Sequence, residues 1–402
     1  LKLDGIMNGR VTVHDPKNFA FGSDLNFANL KINNNTLGEM VVKTDYNAKT
    51  KTIFTDGYTS LGLPTFDGGK MKNIAFRGYY YLDKKEESID LDIKAAPANL
   101  KLLNPLLEGI LTINNGPISG SGKIHGTPDN LKIDGNFKLF NAEIKVDYTN
   151  VTYYMSGDLE IMPDQIRFSE LLMSEKTLTD ALLKEKRVKA VPQGTINGNV
   201  FHSNFTKIQL DYDVTYNNMM VLNTNITQNN TFYGRVYATG NVGIYGFLNN
   251  LHMEVTAATN KNSKFILPLD GPADVAESDF IHFVKKDTIA KKVENAFTGF
   301  SLDMKVKATP ELTVNIILDN ANGDALHVQG DGDLDLNIST LGKFEMIGDY
   351  VITSGDYLFT LESVISKKFE IDAGSTISWS GDPLNADIDI TTSYKQRASV
   401  AP

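Results

Sequence analysis

The sequence predicts a mostly β protein, because apolar and polar residues alternate along most of the chain and short turn sequences separate the alternating runs. One run places Ile89, Leu91 and Ile93 on one side of an extended strand, and Asp90 and Asp92 on the other. Such a strand has one face suited to a protein interior and one suited to water. We therefore expect a large sheet that is apolar on one side.

Four later runs repeat this alternation, over residues 302–308, 312–318, 326–328 and 334–338. The charged segment 83–87 and the Asn- and Gly-containing segment 319–323 have the composition of turns between strands. These runs and turns extend the β prediction to most of the chain.

Two segments depart from the alternation and predict one or two short helices. Residues 177–190 are rich in Leu, Lys and Glu, with Thr177 placed to cap a helix. Residues 278–297 place Phe280, Val284 and Val293 on one broad apolar stripe. A shorter helical turn is expected around residues 104–107.

The composition excludes several classes of protein. The chain of 402 residues has 39 Lys and Arg against 49 Asp and Glu, a net charge of −10, which disfavours nucleic acid as a partner. There is no cysteine, so disulfides, thiolate catalysis and cysteine-ligated zinc are excluded. No apolar run approaches the length of a membrane helix. We expect a portion of a longer protein, with any membrane anchor outside it.

No motif in the sequence predicts catalysis, a metal site or a cofactor. The six histidines have no spacing typical of metal ligands, and no nucleophile elbow is present. The alternating acidic residues that begin at Asp331 resemble a calcium loop only superficially. Leu336 and Gly342 occupy the positions where that loop needs Gly and Glu. We therefore predict a protein that is not an enzyme.

The continuous apolar face of these strands must be covered, and two arrangements would cover it. A second sheet could pack against it in a sandwich. Alternatively, the sheet could curl along its length and enclose a groove able to accept acyl chains. The alternation itself does not distinguish the two arrangements.

The last hundred residues contain a recognisable series of motifs. They are Gly348-Asp349-Tyr350, Gly355-Asp356-Tyr357-Leu358-Phe359, Phe369-Glu370-Ile371, Gly374 and Ile377-Ser378-Trp379-Ser380-Gly381-Asp382-Pro383. This series resembles the C-terminal domain of the TamB family, the translocation and assembly module proteins of bacterial envelopes. Upstream, Phe232-Tyr233-Gly234 with Gly240, and Asp279-Phe280-Ile281 followed by Phe283, resemble the version of this family found in Bacteroidota. Residues 323–393 carry the specific part of the resemblance.

The resemblance implies an elongated, curled β-sheet, a β-taco with an apolar interior, like that of bridge-like lipid-transfer proteins. It implies a periplasmic protein anchored in the inner membrane by an N-terminal segment not present in this sequence. Its C-terminal end would meet a TamA-like assembly barrel of the outer membrane. The implied activities are phospholipid movement across the periplasm and support of outer-membrane protein assembly.

On this basis we expect four segments. Residues 1–193 and 194–277 are expected to form the β-groove, residues 278–300 a helical connector, and residues 301–402 the domain with the TamB motifs.

Two sets of site residues follow as hypotheses. If the protein carries lipid, we expect acyl chains to contact the alternating apolar residues Leu312, Val314, Ile316, Leu318, Leu326, Val328, Leu334, Leu336, Ile338, Phe344 and Met346. If it instead acts as an assembly chaperone, we expect strand edges around Ile377, Trp379, Ile388 and Ile390 to bind the barrel. A purely structural role of Trp379, as a core aromatic residue, remains an alternative.

Overall fold

The computed structural model describes residues 3–17, 20–32, 35–61, 72–107, 109–176, 192–204, 206–269, 299–319, 322–339, 344–361 and 365–395. Nearly all of them lie in β-strands, so the prediction of a mostly β chain is confirmed. The helices predicted over 177–190 and 278–297 lie outside the described residues. The helical turn expected around 104–107 is confirmed by a short 3-10 helix at Leu100–Leu106, which Asn99 caps by accepting a hydrogen bond from the Lys101 amide. No helix in the described ranges combines the length and the apolar composition needed to cross a membrane.

The strands are numbered in chain order. The first twelve are β1 Leu3–Asp15, β2 Ala20–Ile32, β3 Asn35–Asn47, β4 Thr52–Ser60, β5 Ile74–Tyr81, β6 Ile89–Asn99, β7 Leu111–Asn115, β8 Pro117–Thr127, β9 Asn130–Val146, β10 Val151–Ile161, β11 Gln165–Ser174 and β12 Gly194–Ser203. The remaining twelve are β13 Thr206–Thr224, β14 Tyr233–Phe247, β15 Asn250–Thr259, β16 Ser263–Pro268, β17 Phe300–Ala308, β18 Leu312–Asp319, β19 Asp324–Ser339, β20 Phe344–Leu361, β21 Ile365–Ile371, β22 Thr376–Gly381, β23 Asp387–Asp389 and β24 Thr392–Ser393. A second 3-10 helix, Pro383–Asn385, precedes β23.

The chain divides into two compact units. The N-terminal unit contains Leu1–Val146, Thr152–Pro192 and Ile196–Ile208. The C-terminal unit contains Asp147–Val151, Gln193–Thr195 and Gln209–Pro402.

In the N-terminal unit, successive strands pair antiparallel from β1 to β6. β6 then pairs with β8, and β8 with β9. The later part of β9 pairs with β7, so one long strand faces two short ones in succession. Short connections between antiparallel neighbours explain this sequential order, because a hairpin needs only a few residues.

In the C-terminal unit the long strands also face pairs of short strands. β14 pairs with β15 and β16, β19 with β17 and β18, and β20 with β22 and β21, all antiparallel. β15 lies parallel to β17, and β16 parallel to β18. Each pair of short strands is separated by a corner, so the sheet of this unit bends and its apolar side packs on itself.

Hydrogen bonds of hydroxyl side chains and of the backbone satisfy the polar groups at these corners. The Thr309 amide donates to Thr259 Oγ1 at 2.9 Å, and Thr309 Oγ1 donates to the Thr259 carbonyl at 3.0 Å. At the corner before β22, the Ile352 amide donates to the Ser375 carbonyl at 2.8 Å, while Ser375 Oγ donates to the Asp372 carbonyl at 2.8 Å. These bonds replace the ladder bonds that the bend interrupts, because buried backbone groups need partners.

Apolar side chains on the inner side of the bend form one cluster, which we call the C-terminal core. Its buried members are Leu267, Ala308, Leu312, Ile316, Leu326, Val328, Met346, Tyr350, Ile352, Ile371, Ile377 and Trp379.

Candidate functional site

The residues predicted to line a lipid groove share one side of β18, β19 and β20. Val314 lies opposite Val328 in the ladder, and Ile316 opposite Leu326. All members of the set except Ile338 belong to the C-terminal core or pack against it. The structure therefore brings the predicted residues together, as the alternation indicated.

Their burial divides the set into two groups. The side chains of Ile316 and Val328 are 0% and 1% exposed, and Leu312, Leu326 and Met346 are also buried. At most 6% of the surface of each of these five residues is exposed, which is too little for contact with a guest. The half-buried members lie at the margin of the core and keep part of their surface exposed; they are Val314, Leu318, Leu334, Leu336 and Phe344. Ile338 is buried at the far end of β19.

The four residues predicted to bind a partner also differ in exposure. Ile377 and Trp379 belong to the C-terminal core, and Ile390 packs against it. Trp379 is 6% exposed, and its Nε1 donates to the Pro383 carbonyl at 3.2 Å. Ile388 is 38% exposed and lies opposite Ile377 on β23. A structural role as a core aromatic residue therefore fits Trp379, and Ile388 is the one of the four with substantial surface.

The TamB-like motifs around Trp379 have a steric explanation. Gly348 lies opposite Trp379 in the β20–β22 ladder and has φ +135°. A Cβ at Gly348 would lie 2.2 Å from the Asp333 carbonyl oxygen. Only glycine accepts both this backbone conformation and this close approach. The Gly-Asp-Tyr motif then places Tyr350 two residues on, in the core and opposite Ile377.

Tyr350 contributes a buried hydroxyl to this core. The side chain is 2% exposed, and its oxygen has no hydrogen-bond partner among the described residues. Burial raises the pKa of the Tyr350 hydroxyl, and the negative charge of Asp331 raises it further. The residue is therefore a neutral phenol at any physiological pH.

An apolar face that was not among the predicted site residues lies in the N-terminal unit. Strands β2, β3, β5, β6, β8 and β9 place apolar side chains on one face of the sheet, with Gly57 of β4 between Val42 and Phe76. We call this set the N-terminal apolar face: Leu25, Val42, Phe76, Ile93, Leu91, Ile124 and Ile133. All seven side chains are half-buried, and none is fully buried. The alternation at residues 89–95 signalled part of this face. Gly57 and Gly122 occupy other positions on this face, so the apolar alternation is interrupted in the sequences of β4 and β8.

The opposite face of the same strands is charged. One row across eight strands alternates in sign without exception, and we call it the alternating-charge row: Arg10, Asp24, Lys43, Asp56, Arg77, Asp92, Lys123 and Asp134. Within it Lys43 Nζ lies 3.7 Å from Asp24 Oδ1. Lys123 Nζ lies 2.7 Å from Asp90 Oδ1 in the neighbouring row, a hydrogen bond that raises the pKa of Lys123. The row is electrically neutral as a whole, so it offers no field to attract a polyanion.

The described residues show no arrangement suited to a metal. No group of three or more His, Asp or Glu side chains within the described ranges is placed to hold an ion. What the geometry provides is apolar surface, in one unit closed into a core and in the other half-exposed.

The comparison with protein families agrees with the motifs. The model of the TamB C-terminal domain matches residues 185–401, just over half of the chain. The chain belongs to the TamB family. The match to TamB covers every strand of the C-terminal core, including the Gly348 and Trp379 positions. No curated protein and no solved structure matches the chain.

Membership of TamB assigns a role at the coarse level. TamB proteins are non-enzymatic modules of translocation and assembly, and they act in building the bacterial cell envelope. The family resemblance stated from the sequence is thereby confirmed.

Proposed function

We propose that this TamB-family protein moves phospholipids across the periplasm, between the inner and outer membranes, and so supports outer-membrane protein assembly. The observation that carries the proposal is the N-terminal apolar face, to which six strands contribute half-exposed apolar side chains. Exposed apolar surface of this extent, backed by a charged face, is typical of a surface that binds an apolar partner.

Acyl chains are the occupants that this surface suits best. Removing one methylene from water is worth about 0.8 kcal/mol, so a sixteen-carbon chain gains on the order of 12 kcal/mol from a continuous apolar cover. The headgroup would stay in water. The face has no recognisable group for binding a specific polar ligand, which suits a guest that is held by area alone.

Within the originally predicted set, we propose acyl contact only at the margin of the C-terminal core. Val314, Leu318 and Phe344 are half-buried there, whereas Ile316 and Val328 serve to hold the core together. The lipid path proposed here therefore depends chiefly on the N-terminal apolar face.

We propose no catalytic step and no cofactor for this protein. Its location in the envelope follows from the family. We further propose that it is periplasmic and attached to the inner membrane through a segment outside this sequence. The C-terminal end would then be directed to a TamA-like barrel.

Photocrosslinking of a lipid to two variants, each changed at one of two adjacent residues of the same strand, tests lipid contact. Ile93 belongs to the N-terminal apolar face, whereas Lys94 lies on the opposite face, between Ala75 and Ser121 in register. Ile93→Glu and Lys94→Glu introduce the same side chain on opposite faces. The probe is a phosphatidylethanolamine with a diazirine in a sixteen-carbon acyl chain, presented in vesicles.

We expect Ile93→Glu to reduce lipid crosslinking at least five-fold and Lys94→Glu to leave it unchanged, with both variants retaining the β circular dichroism of the parent. Equal crosslinking in the two folded variants would overturn the proposal, because contact with the lipid would then not depend on the apolar face.

A second candidate function is that of an assembly chaperone, favoured by the edge at β23. Among the described strands, β23 pairs only with β22, and its Ile388 is exposed. An unpaired edge of this kind can accept a strand from a partner.

A photoreactive residue at Ile388 should crosslink to an outer-membrane barrel in cells. A photoreactive residue at Ile347, which is exposed on β20 between β19 and β22, serves as the control, and equal labelling at both positions would count against edge pairing.

A further inference from the structure

One histidine in the N-terminal unit is held between two carboxylates from different elements. His125, on β8, places Nδ1 at 2.9 Å from Glu87 Oε2 and Nε2 at 2.6 Å from Asp134 Oδ2. Glu87 belongs to the loop between β5 and β6, residues 82–88, and Asp134 lies on β9. The imidazole ring therefore joins this loop to the β8–β9 hairpin.

The protonation state of His125 determines whether both contacts can exist. A neutral imidazole carries one N–H and presents a lone pair at the other nitrogen. One of the two carboxylates would then face that lone pair, acceptor against acceptor. Only the imidazolium donates hydrogen bonds to both carboxylates, so the observed geometry is that of the charged ring.

Further charged groups surround the His125 ring, and they lie on β6, β8, β9 and the β5–β6 loop. Asp90 on β6 and Lys132 on β9 lie directly opposite His125 in the two ladders. Lys132 Nζ reaches Glu87 Oε1 at 3.3 Å, and Lys123 on β8 pairs with Asp90. In the loop, Lys84 Nζ lies 3.5 Å from the centroid of the Tyr81 ring. Lys132 partly neutralises Glu87, and Lys123 partly neutralises Asp90. Asp134 lies opposite Lys123 in the β8–β9 ladder and takes its charge-assisted hydrogen bond from His125.

We propose that His125 is a proton-dependent clasp, which holds the tip of the β5–β6 loop on the β8–β9 hairpin while the ring is charged and releases it when the ring is neutral.

Hydrogen bonds that do not involve His125 confine the change to the tip of the loop. The Tyr81 amide donates to the Ser88 carbonyl at 2.8 Å, and the Leu82 amide donates to the Lys51 carbonyl at 2.9 Å. These bonds contain no titrating group and remain in both states. Ile89, which directly follows the loop, pairs with Tyr80 at the end of the β5–β6 ladder, on the apolar side of the sheet. Release of the clasp would therefore loosen the apolar side of the sheet at the end of the β5–β6 ladder. This consequence does not depend on whether the apolar side carries lipid.

The direction of the pH dependence follows from the pKa shifts. The hydrogen bond that His125 donates to Glu87 raises the pKa of His125 above its usual 6.5, with Asp134 contributing in the same sense and partial burial opposing it. The stabilisation is complete below 6.5 and is lost as the pH rises through the raised pKa. The pKa of Glu87 is lowered, chiefly by His125, so its contribution is lost only when the pH falls below the usual 4.5. The clasp is therefore closed from about pH 4.5, the usual pKa of a glutamate, up to the raised pKa of His125.

Two measurements on the full chain test the clasp. The imidazole ¹⁵N shifts give the titration of His125, and amide hydrogen exchange, corrected for the intrinsic effect of pH, reports on residues 83–87. The Tyr81 amide serves as the internal reference. Glu87→Gln removes one carboxylate of the clasp, and Glu86→Gln removes the adjacent, exposed carboxylate as the matched control.

We expect His125 to titrate above 6.5 and exchange at the loop tip to rise at least five-fold across that titration, with Tyr81 unchanged. Glu87→Gln should lower the His125 pKa and make loop exchange fast at all pH values, whereas Glu86→Gln should behave as the parent. Titration at or below 6.5, or equal loop protection on both sides of the titration, would overturn the proposal.

Discussion

Arg77 on β5 lies directly opposite Asp92 on β6, and on its other side it lies directly opposite Asp56 on β4. Each interior charge of the alternating-charge row is flanked in the same way by opposite charges. Cross-strand pairs of opposite charge stabilise a sheet, and like charges in those positions destabilise it. A slip of one strand by a single residue would move its charge to the apolar side. The row therefore specifies register on a face that hydrophobic burial specifies only weakly.

Reversing one charge of the row should cost more than removing it. Arg77→Glu places a carboxylate between Asp56 and Asp92, whereas Arg77→Gln introduces a side chain of the same length as glutamate without the charge. Both variants lose the contact of the guanidinium with the Phe54 ring, so the difference between them isolates the charge. We expect Arg77→Glu to lower the free energy of unfolding of the N-terminal unit by a few tenths to about 1 kcal/mol more than Arg77→Gln.

Urea denaturation at low and at 1 M salt measures this difference. Because salt screens exposed charges, the gap between the two variants should shrink at 1 M. A gap that is unchanged by salt would show that the row does not act electrostatically.

Ile316→Asp should unfold the C-terminal unit rather than only block access to it. The side chain of Ile316 is 0% exposed within the C-terminal core. An aspartate there buries an unpaired carboxylate, at a cost of several kcal/mol, about 3 or more. Ile316→Val, which removes one methylene, should cost about 0.5–1.5 kcal/mol and leave the unit folded. Thermal denaturation followed by circular dichroism distinguishes the two; a stable Ile316→Asp variant would mean that the core is less closed than described.

Gly348→Ala should destabilise the C-terminal unit more than the same change at another glycine with positive φ. Gly323 has φ +84° and no atom within 4 Å of the position that a Cβ would occupy, whereas Gly348 adds the close approach to the Asp333 carbonyl. Both variants incur backbone strain of about 1 kcal/mol, and Gly348→Ala also displaces the β19–β20 ladder. Chemical denaturation of both variants gives the comparison, and equal losses would remove the steric explanation of the motif.

The single tryptophan of the chain should report on the C-terminal core alone. Trp379 is buried, with its indole N–H bonded to the Pro383 carbonyl. We expect emission typical of a buried indole, with a shift to longer wavelength when the C-terminal unit unfolds. Trp379→Phe keeps most of the apolar contact but leaves the Pro383 carbonyl without this donor, at a cost of about 1–3 kcal/mol. Emission typical of a solvated indole in the native protein would contradict the burial described.

Sequence reasoning predicted the strands more successfully than the accessibility of their side chains. Val314, Ile316 and Val328 were placed correctly on one side of adjacent strands, because the period of two fixes which residues share a face. The same pattern could not show that Ile316 is enclosed while Val314 keeps free surface. The difference in burial between Ile316 and Val314 depends on which side chains from other strands pack over each position. The segment boundaries expected near residues 193, 277 and 300 stay predictions.

The sequence by itself determined that this protein is made of strands with one apolar side and that it has the TamB motifs. Local alternation and turn composition suffice for such conclusions, because they depend on neighbours in the chain. Only the tertiary structure decided that the apolar side is closed into a core in the C-terminal unit and half-exposed in the N-terminal unit. It also decided that eight charges from eight strands form one row, and that Glu87 and Asp134 meet at His125. These relationships join residues far apart in the chain, and their partners are selected by the register and bending of the folded sheet.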